Sequence, residues 1–127
     1  MTASVHQGQE QAHSAFTVSS RKIVASGSDV YVKEFVLAPQ EDVPWHSHTE
    51  VFDIFYCLQG TLVVQSADVF SGERHPDVTV AVGQSTRIDA GQAHRPYNPG
   101  PDVCRFLLVQ GVGAYDYLPY DAKAPGA

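Results

Sequence analysis

Basic residues are scarce in this chain. Its 127 residues include 8 lysines and arginines against 14 aspartates and glutamates, a formal net charge of −6 with histidines neutral. No Lys/Arg-rich run occurs, which argues against nucleic acid or an anionic membrane surface as the partner. No apolar run approaches the roughly 20 residues that span a bilayer. The first residues, MTASVHQGQEQAHSAF, lack the charged-then-apolar pattern of a signal peptide, so the chain reads as cytoplasmic. Cysteine is also rare. Cys57 and Cys104 both lie in apolar strand-like runs and read as small buried hydrophobes, not as a disulfide or a reactive thiol. Long helices are excluded as well: no stretch of about ten residues shows a helical period, and glycines and prolines interrupt the chain throughout.

What remains is strand. Hydrophobic content is 43% and charged content 17%, the balance of a globular chain, and the length suits one domain with a real core. DVYVKEFVLAP (29–39), VFDIFYCL (51–58), GTLVVQSA (60–67), VTVAV (78–82), STRID (85–89) and VCRFLLVQG (103–111) are short, β-branched or aromatic, and separated by turn residues. That spacing predicts an all-β sandwich or barrel. Gln59-Gly60 reads as a tight turn that closes a hairpin between the second and third runs. Residues 1–20 read as a flexible or strand-swapped arm, 21–118 as the domain and 119–127 as a tail.

His46 and His48 sit two apart in an extended context just after Pro44, which places both imidazoles on one face. Asp53 shares the parity of Phe55 and Cys57, so an inward-facing strand carries a carboxylate. A buried lone carboxylate is costly, and a metal ion or a cationic partner is the usual compensation. His94 follows at a turn in DAGQAHRPYN (89–98). Three imidazoles and a carboxylate suit one divalent transition metal ion, iron, zinc, nickel or manganese, with one or two positions left for water or substrate.

These residues fall into two spaced motifs. His46-Ser47-His48, four residues, Asp53, six residues and Gly60 form the first. Gly83, five residues, Asp89-Ala90-Gly91, two residues, His94, three residues and Asn98 form the second. In order and spacing they resemble the two motifs of the cupins, over roughly residues 30–111. Three positions depart from the family pattern: Asp53 stands for a glutamate, Asp89 for a proline and Gln40 for the first glycine.

The resemblance implies a single-domain conical β-barrel, a double-stranded β-helix jelly roll. It implies metal ligation by His46, His48, Asp53 and His94, and a small-molecule substrate inside the barrel. It also implies a homodimer formed through sheet edges or a swapped N-terminal strand. Similar small cupins include polyketide cyclases, uronate-ring-opening enzymes, isomerases and dioxygenases. A divalent ion with three neutral imidazoles and one aspartate stays close to net +1, which favours binding an anionic enolate. The few basic residues lean towards cyclase or dioxygenase chemistry rather than sugar-acid processing. A non-catalytic binding or sensing cupin is one alternative, and a sugar-acid (uronate) processing cupin is the other. Candidate catalytic groups beside the metal are Asp53, Glu50, His75 and Tyr56, and candidate pocket residues are Phe35, Phe55, Arg87 and Phe106.

Overall fold

The computed structural model describes residues 16–122. They contain ten strands and, among the described residues, no helix: β1 (Ser20–Ser26), β2 (Tyr31–Leu37), β3 (His46–Ser47), β4 (Phe52–Gln59), β5 (Thr61–Asp68), β6 (Val78–Ala81), β7 (Ser85–Ile88), β8 (Gln92–Tyr97), β9 (Cys104–Gly111) and β10 (Leu118–Pro119). Two five-stranded antiparallel sheets result. One runs β1-β2-β9-β4-β7 and the other β10-β3-β8-β5-β6. The strand spacing predicts an all-β sandwich or barrel, and the two sheets take the jelly-roll form that the resemblance implies.

The alternation in the sequence sets the inner faces. In β2 the buried residues are Tyr31, Lys33, Phe35 and Leu37, with every second residue half-exposed. β9 alternates the same way from Cys104. The core draws on both sheets: Phe35, Phe55, Cys57, Phe106 and Leu108 from the first meet Leu62, Val64 and Val80 from the second. The Phe35 and Phe106 rings stack with centres 5.1 Å apart. Burying each such ring contributes roughly 1.5–3 kcal/mol. Cys57 and Cys104 are free and fully buried, and burial, with Cys57 alongside, pushes the Cys104 thiol up to about 12.

The expected hairpin across Gln59-Gly60 does not form. β4 pairs with β7 and β9, whereas β5 pairs with β6 and β8. The turn is a corner at which the chain passes from one sheet to the other. Gly60 sits at φ +75, and a Cβ there would lie 2.5 Å from the Val103 carbonyl oxygen. Only glycine fits both demands.

Of the expected 1–20 arm, residues 1–15 lie outside the described residues. Phe16 and Val18 pack on the core, and the Ser19 amide and hydroxyl both donate to Glu41 Oε1. At the other end, Pro119 pairs with His46 and the Tyr120 amide donates to the Trp45 carbonyl, so the expected tail begins against the domain.

Candidate metal centre

His46 and His94 are directly opposed across β3 and β8 in the second sheet. Asp53 comes from β4 in the first sheet, facing Gln110 of β9. His48 follows β3. All four side chains are at most 5% exposed. One candidate ligand atom from each lies within 4.8 Å of all the others, the arrangement of a group able to hold a metal ion.

Backbone carbonyls orient the rings. His46 Nδ1 lies 2.7 Å from the Pro44 oxygen, His48 Nδ1 2.6 Å from the Asp116 oxygen and His94 Nδ1 3.0 Å from the Gln92 oxygen. With each Nδ1–H donated outward, every Nε2 presents its lone pair inward, as metal-bound imidazoles do. Gln110 Nε2 donates to Asp53 Oδ1 at 3.0 Å, which leaves Oδ2 for the imidazoles. That oxygen lies 2.7 Å from His94 Nε2 and 3.3 Å from His48 Nε2. A neutral imidazole carries one N–H. Both nitrogens of His94 and of His48 face oxygen acceptors, so the centre holds more acceptors than neutral rings can serve. It calls for a cation, either a proton or a metal.

The electrostatics agree. Burial, reinforced by His94 and His48, holds His46 well below its ordinary value. Burial works against Asp53 ionising, yet the charge and hydrogen bonds of His48 and His94 keep its carboxyl well below the usual range. Burial also opposes a charged His48, but Asp53 and the Asp116 carbonyl outweigh it and raise that pKa. The donor set fits a divalent transition metal: three borderline imidazole nitrogens and one hard carboxylate oxygen.

A family model for the cupin domain matches residues 33–110, more than half of the chain. The chain belongs to the cupin family. No protein of curated function matches it in sequence. Its fold is similar to that of a Klebsiella pneumoniae protein with a double-stranded β-helix domain, at 19% identity and TM-score 0.68, covering 80% of this chain and 84% of that one. It is similar to a predicted oxalate decarboxylase from Thermotoga maritima at 23% identity and TM-score 0.63, covering 73% and 79%. It is also similar to an oxalate oxidase solved with glycolate, at 18% identity and TM-score 0.68, covering 79% of this chain and 54% of that one. These likenesses establish the fold.

In this cupin a cavity opens onto the cluster, enclosing about 320 Å³ with its mouth included. Only a narrow part of it is wide enough for water, room for one or two molecules. Phe35, Phe55, Phe106 and Asp53 line it. Arg87 does not. Ile88 is the inward residue of β7, so Arg87 points out, 55% exposed, with its Nε 2.8 Å from Asp89 and its guanidinium over the Phe52 ring. Tyr56, between inward Phe55 and Cys57, faces solvent at 42% exposure. Glu50 is exposed and accepts the Ala114 amide. His75 is exposed on its loop, its Nε2 2.9 Å from the Gln92 side-chain oxygen. Of the four candidate catalytic groups, Asp53 lines the cavity and the other three do not.

The cavity also holds residues that the sequence did not single out: Lys33, Arg21, Tyr115 and Tyr117. Tyr117 stacks on His46 at 4.7 Å, and Tyr115 lies 5.2 Å from His48. Lys33 had a legible signal, since it shares the parity of Tyr31, Phe35 and Leu37. The two tyrosines lie beyond β9, where no periodicity points inward.

Proposed function

We propose that this cupin is a metal-dependent enzyme that acts on a small organic molecule in its cavity. The observation that carries the reading is the set of three imidazoles whose Nδ1 atoms are tied to carbonyls and whose Nε2 atoms converge on a buried aspartate. His46, His48, His94 and Asp53 would hold the ion, iron, zinc, nickel or manganese. Gln110 would keep Asp53 aimed at it. A divalent ion held there would polarise a carbonyl, stabilise an enolate, or activate water or dioxygen. The aromatic walls exclude bulk water, which strengthens every electrostatic contact inside. Enolisation, cyclisation, isomerisation and dioxygenation all remain within this reading. Solved structures of similar fold described as an oxalate oxidase and a predicted oxalate decarboxylase are in keeping with a reaction on a small acid.

The test is the metal content of protein purified without added metal or chelator, by mass spectrometry, beside a His46→Ala/His94→Ala variant. About one equivalent of one metal in the wild type and none in the variant is the expected result. No metal in either, and no uptake on soaking, would overturn the proposal.

A non-catalytic binding cupin is the second reading. It is favoured by the outward placement of Glu50, His75 and Tyr56, which leaves the cavity without those expected acid–base groups. A homodimer belongs to either reading. β1 ends its sheet among the described residues and exposes Ile23 and Val24 at 52% and 54%, an edge that a second copy would cover.

A further inference from the structure

The cavity has a second polar end. Lys33, on β2, is 3% exposed, and its Nζ lies 5.5–5.7 Å from the ring centres of Tyr115, Tyr31 and Phe35. Arg21 is opposite Phe35 in the β1–β2 register, so it reaches the same inner face. Its guanidinium lies 4.9 Å from the Phe16 ring centre and 6.0 Å from that of Phe35. Arg21 Nη1 is buried and has no hydrogen-bond partner among the described residues. A buried guanidinium N–H without an acceptor is costly, and in a cavity wall it is the mark of a place where a ligand acceptor fits.

Charge points the same way. Asp53 is the acidic residue among those that line the cavity, whereas Arg21 and Lys33 are both cationic there. A divalent metal beside Asp53 would leave the cavity strongly positive. Burial lowers both cations from their ordinary values, Lys33 to about 7. An anion between them would recover part of that desolvation.

We propose that Arg21 and Lys33 form an anion-binding end of the cavity, and that the substrate is a small carboxylate whose charged group sits there while its reacting carbons face His46 and Asp53. The orientation rests on the metal-enzyme reading above; the anion end itself does not.

The test compares formate and acetate, small enough for the space beside Arg21 and Lys33, with their neutral amides, formamide and acetamide, by titration calorimetry near pH 6. Wild type, Lys33→Met, Arg21→Gln and His46→Ala/His94→Ala are each assayed for metal content and melting temperature. In the wild type at least one acid should bind about tenfold or more tighter than its amide. Lys33→Met and Arg21→Gln should each lose that preference while keeping wild-type metal content. Lys33→Arg, which keeps the charge, controls for a folding defect. The His46→Ala/His94→Ala variant should lose the metal and keep the preference. Acids and amides that bind alike, acids that do not bind at all, or a preference that survives both cation variants would overturn the proposal. Metal-free wild type that still prefers an acid through Arg21 and Lys33 would sink the metal reading and leave the anion end standing.

Discussion

Lys33 makes a quantitative test of the buried cavity. Its ammonium is almost fully buried, and that burial pulls its pKa from 10.5 to about 7, with Asp53 pulling the other way and Arg21 adding to the fall. Below pH 7 native and unfolded chains both hold the proton, and the native state bears the full cost of a buried charge. Between about pH 7 and 10.5 the unfolded chain keeps a proton that the native chain has released. Stability from this group therefore rises with pH across that window and levels off above it. A one-proton difference is worth about 1.4 kcal/mol per pH unit. With the native lysine half-protonated at the start, the gain from pH 7 to about pH 9 is about 2 kcal/mol. The perturbation is Lys33→Met, which keeps an unbranched apolar stem of similar length. Urea unfolding of both proteins is followed from about pH 6 to pH 9, with chelator present to fix the metal state. The stability of the wild type relative to the variant should rise by about 2 kcal/mol over the upper part of that range. A difference that stays flat to within about 0.5 kcal/mol would show that Lys33 titrates as an exposed lysine, and the buried placement would be refuted.

Gly60→Ala forces a side chain into φ +75 with its Cβ 2.5 Å from the Val103 oxygen. A loss of about 2–4 kcal/mol in urea unfolding is expected, and a loss under about 0.5 kcal/mol would mean the corner relaxes freely. Gln110→Leu removes the donor on Asp53 Oδ1. Metal affinity, measured by competition with a chelating dye, should weaken about 10–100-fold, and an unchanged affinity would remove Gln110 from the orienting role. Arg87→Ala should leave metal content unchanged and stability within about 1 kcal/mol, since the side chain is exposed. A loss of metal there would contradict its outward placement.

Much of the fold could be read from local pattern. Inner and outer residues alternate through β2 and over most of β4 and β9, so Phe35, Phe55 and Phe106 were assignable to the interior before any sheet was assembled. His46 and His48 were legible as a pair because their spacing encodes one face of an extended chain, and strand parity and the two-motif resemblance added Asp53 and His94 to the cluster. The departure at Gln40 also has a structural answer. Gln40 adopts φ +70, the left-handed conformation that a glycine would favour there. Its side-chain amide lies 3.1 Å from the Pro99 oxygen and 3.4 Å from that of Gly100, contacts that help hold the turn in place of glycine's freedom. Asn98 at the end of the second motif holds the same corner, donating to the Leu37 and Asp102 carbonyls. The Gln59-Gly60 turn was misread because turn chemistry is local. A tight hairpin and a sheet-switching corner both ask for glycine, and what separates them is Val103, more than forty residues away in the chain.

The parity of Lys33 with Tyr31, Phe35 and Leu37 was legible, but its meeting with Arg21 at a cationic end was hidden for a related reason. Across the first sheet, Tyr31, Gln110, Asp53 and Ile88 form one row of opposed residues, and Lys33, Leu108, Phe55 and Thr86 form the next. Arg21, Phe35, Phe106 and Cys57 form the row after that. Neighbours within a row come from strands separated in sequence by many residues, so no window of the sequence contains one. A count of basic residues suggested a cavity with little positive charge. The count averages over the surface, where a lysine or arginine is cheap to keep solvated. Register, not composition, decides which cations face inward. With Lys33 and Arg21 on the inner face, the same low dielectric that makes them costly would strengthen their attraction for the carboxylate proposed above. The lean from composition towards cyclase or dioxygenase chemistry rather than sugar-acid processing took no account of these two inward side chains.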